Sequence, residues 1–166
     1  MAQKQYPSVD GLLWHRHQFY SFFLPRDWHP LSWADERDGM IFGPDADDPH
    51  TFFGVELKDL GMAIEADDLD AVAEGFFDSI EALPEVEIES REQQVIGNLI
   101  RLECKYTFNE GGQIRKRWMR LFYHFTRQIS MMAQGAIPEK YDYWLPWFYE
   151  AMMTAKVHST KPKWPD

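Results

Sequence analysis

The feature that most constrains the fold is a strict alternation of apolar and polar side chains from Ile100 to Phe108. Successive side chains of a β-strand point to opposite faces, so this alternation predicts a strand with one face in the core and the other in water. The segment Ile114 to Phe125 alternates similarly, and Arg127 to Ala136 follows it closely. Short turns separate the three segments, so we expect an antiparallel meander.

Further segments complete an α+β pattern. The other predicted strands are Gly11 to Pro25, Gly39 to Gly43, Thr51 to Leu60 and Val86 to Gln94. Apolar residues recur at steps of three and four between Asp67 and Leu83, which predicts a helix. Glu139 to Met153 predicts a terminal helix in which Pro146 requires a kink or a later start, because proline lacks the donor N–H. Strands and helices do not alternate along the chain, so we expect an antiparallel β-sheet with flanking helices rather than a parallel nucleotide-binding fold.

The length of 166 residues suits one domain, which we place at residues 11–157. Residues 1–10 and 158–166 lack periodicity and are predicted to be flexible tails. Cys104 is the only cysteine, so an intrachain disulfide is excluded and a reducing compartment is expected. The N-terminal residues lack the pattern of a signal peptide, and the apolar runs are far shorter than the ~20 residues of a membrane helix. We therefore predict a cytoplasmic protein without membrane insertion.

The formal net charge of −10 argues against nucleic acid as a partner. Phosphate backbones bind positive surfaces, because binding there releases counterions. A protein partner fits the composition better, and a second copy of the chain, forming a homodimer, is one candidate for it.

A set of local features runs along nearly the whole predicted domain. They are Phe22-Phe23-Leu24-Pro25 with Trp28, the acidic-start helix from Asp67, the Leu83-Pro84 step, Gly97 before a long strand, and the basic, aromatic strand from Arg115 to Phe125. This order resembles the PsbP/Mog-type superfamily, which also contains DcrB-like proteins and the Eag chaperones of type VI secretion effectors. The resemblance implies an α/β/α sandwich around an antiparallel sheet, and members that mostly bind proteins. It transfers no catalytic residues.

Three histidines are one candidate for a metal site, and the acidic turn with Asp45, Asp47 and Asp48 is another, which lacks the glycine and glutamate of a calcium loop and is expected to be a solvated turn. His15 and His17 are two residues apart on one predicted strand, so both imidazoles could reach one metal ion, with His124 as a third ligand. The alternative is that they are exposed or hydrogen-bonded, and we favour it because no carboxylate stands at a diagnostic spacing. Cys104 lies on the apolar face of its strand, where a thiol acts as a small hydrophobe. The sequence also lacks nucleophile-elbow and phosphate-loop motifs, so we predict no catalytic residues, no metal and no cofactor.

Two neighbouring features indicate a binding surface. A basic cluster around a tryptophan could hold an acidic partner, or its arginines could pair with carboxylates of neighbouring strands. Large apolar groups also interrupt the polar face of the meander, and they could bind a partner segment or lie in ordinary core beneath the terminal helix. The predicted partner-binding residues are Trp118, Phe122, Met132, Arg115, Arg117 and Arg120.

A different candidate is a pocket for a small apolar or aromatic ligand, between the sheet and the terminal helix. Its predicted walls are Trp28, Trp33 and Trp144, with Trp118 beside them. The principal prediction remains a noncatalytic protein-binding or chaperone-like module that presents a β-sheet face to a partner segment. A metal-dependent enzyme ranks below both.

Overall fold

A computed structural model describes residues 7–33 and 35–158 of the chain. The strands are β1 (Leu12–Arg16), β2 (Tyr20–Pro25), β3 (His29–Leu31), β4 (Gly39–Gly43), β5 (Phe52–Asp59), β6 (Glu87–Ile96), β7 (Leu99–Glu110), β8 (Gln113–His124), β9 (Arg127–Gly135) and β10 (Lys156–Val157). The helices are α1 (Leu69–Glu81) and α2 (Pro138–Thr154).

Seven strands form one antiparallel sheet in the order β3-β4-β5-β9-β8-β7-β6. The predicted meander is confirmed as β6 to β9. Gly97 and Gly111 take φ values of 59° and 60° in its first two turns, which is the left-handed region that glycine enters without strain. Phe125 takes a φ of 54° in the third turn, where the sequence carries no glycine signal.

A second, three-stranded sheet has the order β1-β2-β10. The prediction of one continuous strand from Gly11 to Pro25 is therefore wrong. The chain reverses after Arg16, and the backbone N–H of His17 donates to the carbonyl of Tyr20 at 2.8 Å. Both arms of this hairpin are aromatic and the turn contains no Gly, Pro, Asn or Asp, so the alternation alone could not reveal it.

Local chemistry sets the start of each helix. The carboxylate of Asp68 accepts the backbone N–H of Glu65 at 2.9 Å in a short 3-10 turn, and α1 begins at the next residue. Pro138 lies in the first turn of α2, where its missing N–H costs nothing. The helix passes through Pro146, so of the two predicted alternatives, a kink or a later start, the later start is wrong.

The elements form three layers. α1 packs on one face of the large sheet, chiefly over β6 and β7, and we call this the α1 face. α2 packs with β2 on the other face, over β8 and β9, and we call this the α2 face. The predicted α+β class and the α/β/α sandwich are confirmed.

Two residues expected in the tails are tied to the domain. The indole Nε1–H of Trp147 on α2 donates to the carbonyl of Pro7 at 2.9 Å. The backbone N–H of His158 donates to the carbonyl of Phe19 at 2.8 Å. The rest of the predicted tails, at 1–6 and 159–166, lies outside the described residues. Neither helix within the described ranges is long and apolar enough to span a bilayer.

Candidate binding face

The predicted apolar patch is not formed. Trp118 and Phe122 are buried beneath α2, with only 2% and 7% of their surface exposed. Cross-strand partners in an antiparallel sheet project to the same face. Trp118 pairs with Ala133 whereas Met132 pairs with Met119, so Met132 lies on the opposite face from Trp118. The assignment of all three residues to one exposed patch is therefore wrong.

The three predicted arginines also separate. Arg120, beneath α2, donates to the carbonyl of Met152 at 2.9 Å, and Arg115 donates to the carbonyl of Ala136 at 2.9 Å. Arg115 and Arg120 are both buried, and each pairs with a carboxylate. Their hydrogen bonds stabilise the packing around the ends of α2, so the two guanidinium groups are not available as a binding surface. Arg117 is half-buried and lines a cleft on the α1 face.

A buried carboxylate organises the α2 face. Glu103 accepts hydrogen bonds from the indole of Trp118 and from the guanidinium of Arg120, the latter at 3.1 Å. Burial by itself would raise the pKa of Glu103, but the positive charge of Arg120 and these hydrogen bonds outweigh it and lower the pKa. The carboxylate is therefore charged at neutral pH and holds Trp118 in the core.

The predicted tryptophan pocket is not assembled. Trp28 and Trp144 meet edge to face with ring centroids 5.5 Å apart, and Trp28 also meets Phe148 at 5.9 Å. These rings fill the space between the small sheet and α2. Trp33 lies on the other face of the large sheet, over Gly54. The three predicted wall residues do not line one pocket.

The two histidines of the predicted N-terminal strand stack on aromatic rings. His15 stacks on Phe22 at 5.2 Å and His17 stacks on Tyr20 at 4.4 Å. Burial lowers the pKa of His15, and burial with the nearby Arg127 lowers the pKa of His124, so both are neutral at pH 7. Within residues 7–33 and 35–158, no three His, Cys, Asp or Glu side chains converge as metal ligands.

One part of the large sheet lies beneath neither helix, on the α1 face over β5, β8 and β9, and its side chains, although mostly buried, border clefts that open to solvent. We call it the open strip and define it by its floor residues, Phe52, Met119, Ser130, Met132 and Gln134. α1 forms one wall with Gly75, Phe76 and Ser79, and the loop after β3 forms the other with Trp33 and Arg37. The strip contains two clefts of ≈ 430 Å³ and ≈ 270 Å³, and both open to solvent.

The loop wall is fixed by aromatic and ionic contacts. The ring of Trp33 meets Phe52 edge to face at 6.1 Å, and the guanidinium of Arg37 lies 4.8 Å above that indole. Arg37 also pairs with Glu56 at 3.4 Å. A Cβ at Gly54 would lie 3.0 Å from the Trp33 ring, so any larger residue would have to push the ring outward. A glycine inside a predicted strand was the one sequence signal for this wall.

Arg117 is held rigidly at one end of the strip. Its Nε and Nη2 donate to Oε1 of Gln134 at 2.9 and 2.5 Å, and its Nη1 donates to the hydroxyl of Tyr106 at 3.4 Å. The guanidinium lies 4.6 Å above the ring of Phe108. Burial raises the pKa of Tyr106 although Arg117 opposes this, so the hydroxyl is neutral and cannot compensate the Arg117 charge.

The three layers and the strand order define a PsbP/Mog-like fold, as the resemblance implied. The solution structure of cyanobacterial PsbP (CyanoP) from Synechocystis sp. PCC 6803 matches with a TM-score of 0.61 and 11% identity, over 95% of this chain and 99% of that one. LpqN of Mycobacterium tuberculosis, involved in cell envelope biogenesis, matches with a TM-score of 0.60 and 12% identity, over 89% of each chain.

A third similar structure is PA94 from Pseudomonas aeruginosa, a protein of unknown function and putative regulator. It matches with a TM-score of 0.56 and 15% identity, over 93% of this chain and 99% of that one. No family model and no curated protein matches the sequence. At these identities the likeness shows the fold, and the structural relatives differ in function.

Proposed function

We propose that this protein is a noncatalytic, chaperone-like binding module that receives an extended segment of a partner protein on the open strip. The observation that carries the proposal is the pair of solvent-open clefts along the α1 face of the sheet, one beside the Trp33 loop and one beside α1. The face differs from the one that the sequence indicated, but the mode of binding, a sheet face presented to a protein segment, is the same.

The chemistry of the strip supports a polypeptide as the occupant. Its floor combines the ring of Phe52 with the thioethers of Met119 and Met132, and methionine adapts its shape to varied apolar side chains. Arg117, which is half-buried, borders the same floor and adds a polar, charged group at one end of it. The clefts open to solvent rather than forming enclosed cavities, the larger beside the Trp33 loop and the smaller beside α1, which suits a segment that continues beyond the site.

The noncatalytic part of the proposal is supported by the surroundings of the reactive side chains. Cys104 is fully buried and burial, followed by the charge of Glu81, raises its pKa to about 11. A catalytic thiol needs the opposite, an exposed site that favours the thiolate. A cytoplasmic location remains part of the proposal, because a single cysteine suits a reducing compartment.

Proteins with this fold have different roles, so the fold alone does not give the function of this chain. LpqN is involved in cell envelope biogenesis and PA94 is a putative regulator, so their roles differ from each other. One fold can host unrelated activities, so the function has to be argued from the strip itself.

Gly75 offers a direct test, because a Cβ there meets nothing within 4 Å and the residue borders the smaller cleft. We would select binders from a random 12-residue peptide library displayed on phage, and then measure their affinities for wild-type protein, Gly75→Trp and Gly75→Ala. The bulky indole is expected to obstruct the strip and to weaken binding by at least about tenfold, whereas alanine leaves the cleft open and binding unchanged.

Peptides that bind Gly75→Trp as tightly as the wild type would contradict the proposal, as would a selection that yields no binder. Thermal melts of all three proteins show whether each remains folded. A small apolar ligand as the true occupant would appear as binding of an indole fragment to the strip in the absence of any peptide binder, and it too would overturn the proposal.

A further inference from the structure

We propose that Arg117 is a carboxylate anchor on the open strip, and that the bound segment carries an Asp or Glu next to a large apolar side chain. This inference rests on the proposed function, because it specifies the chemistry of the segment that the strip receives.

The guanidinium is positioned but not saturated. Arginine has five N–H donors, and the contacts of Arg117 to Gln134 and Tyr106 use three of them. Gln134 is itself fixed, because it is buried and its Nε2 donates to the carbonyl of His50 at 2.9 Å. Phe108 supports one flat side of the guanidinium. One N–H on Nη1 and one on Nη2 therefore remain for a ligand in the cleft that Arg117 lines, and a carboxylate is the strongest acceptor for such charged donors.

The charge of Arg117 has no carboxylate partner among the described residues. The acids that border the open strip are already engaged by cations. Glu56 pairs with Arg37 and Lys58, and Glu110 pairs with Arg115. Each neighbouring acid is thus compensated locally, and Arg117 supplies a surplus positive charge in a chain whose net charge is −10. An anionic group on the partner is the complement of this surplus.

The surroundings of Arg117 select a peptide carboxylate over a phosphate backbone. Phe52, Met132 and Trp33 line the same cleft, so an anion bound there has apolar surface beside it. Aspartate or glutamate followed by an aromatic or aliphatic residue supplies both parts within one short segment. A nucleic acid requires a row of cations along its backbone, and the other cations of this strip already have acidic partners.

The experiment is a double-mutant cycle on the peptides selected with wild-type protein. In each peptide the acidic residue is replaced by its amide, Asp→Asn or Glu→Gln, and the protein is changed by Arg117→Gln. We expect each single change to weaken binding by about tenfold and the double change to weaken it no further, because both remove one charge-assisted contact. The change in the peptide leaves the protein fold untouched, so it reports on the contact even if Arg117→Gln is destabilised.

Arg91→Gln is the matched control. Arg91 also lies over a phenylalanine ring, Phe77 at 5.4 Å, but it pairs with Glu81 and lies away from the open strip. Its substitution is expected to leave peptide affinity unchanged.

The outcomes separate this inference from the proposed function. Peptides that are blocked by Gly75→Trp but bind Arg117→Gln normally, or that lack an acidic residue, would overturn the anchor and leave the binding strip intact. Peptides insensitive to Gly75→Trp would overturn both. If a 12-residue oligothymidylate displaces the peptides from wild-type protein but does not bind Arg117→Gln, the occupant of the strip is a nucleic acid. That result would also overturn the inference.

Discussion

The indole Nε1–H of Trp118 on β8 donates to the carboxylate of Glu103 on β7, beneath α2. Arg120 donates to the same carboxylate and also reaches the carbonyl of Met152 near the end of α2. This network joins the meander to the terminal helix through one buried negative charge.

Removing that charge is expected to destabilise the fold. Glu103→Ala leaves the buried Arg120 guanidinium without its partner, and we expect the free energy of unfolding to fall by about 3 kcal/mol. Urea denaturation measures it. The control is Glu81→Ala on α1, whose side chain is 47% exposed and pairs with Arg91, and which should cost at most ~1 kcal/mol. Equal losses for the two variants would show that the network contributes no more than a surface pair.

The same carboxylate predicts a pH dependence of stability. The folded state lowers the pKa of Glu103 below its ordinary value of 4.5, so its stabilising contribution is complete above that pH and is lost as the pH falls through the folded pKa. We expect the difference in unfolding free energy between wild type and Glu103→Gln to shrink steadily below pH 4.5. A difference that stays constant down to pH 2.5 would contradict this assignment.

Two glycines give opposite predictions for the same substitution. A Cβ at Gly135 would lie 2.3 Å from the backbone nitrogen of Tyr141, so Gly135→Ala has to displace α2 and should cost about 2 kcal/mol or more. Gly75 lies in α1 with open space around it, so Gly75→Ala should stabilise by about 0.5–1 kcal/mol through the higher helix propensity of alanine. Thermal or urea unfolding of both variants provides the check. Similar effects of the two changes would show that α2 does not pack closely against Gly135.

Cys104 is expected to resist thiol reagents in the native protein. Its pKa is raised from 9.0 to about 11, so the thiolate fraction at pH 8 falls by about a hundredfold, and complete burial slows attack further. The rate of reaction with a disulfide reagent should therefore rise by about a hundredfold or more when urea unfolds the protein. Rapid labelling of the native state would mean that the core between α1 and β7 is open.

The regular elements could be predicted because their signals are local. The alternation in β7 and the three- and four-residue steps of α1 can each be read from one short continuous segment of the sequence. The structure confirms both elements, with small shifts of their ends. The hairpin of β1 and β2 was missed because its turn carries no turn-forming residue. The short turn between β8 and β9 was predicted, but no residue there indicated its type, so the register of β8 against β9 could not be read from the sequence.

That register explains the mixed outcome for the candidate site. Arg117 and Met132 were singled out from the sequence and both line the open strip, but they were assigned to a patch with Trp118. A one-residue difference in pairing moves a whole strand's side chains to the other face. The Trp33 loop has no periodicity, so nothing in the sequence indicated that its ring would pack over Gly54 except the glycine itself, whose meaning only the structure reveals.

The sequence by itself determined which residues of each strand share a face, the α1 segment, and an antiparallel order typical of an α+β sandwich. The tertiary structure decided which face of the large sheet is covered and which is left open. Covering depends on contacts between residues far apart in the chain, as where α2 seals Trp118 and Phe122 while α1 stops short of β5 and β9. Burial is set by such long-range packing, so a strand's own pattern shows that it has an apolar side but not what lies against that side.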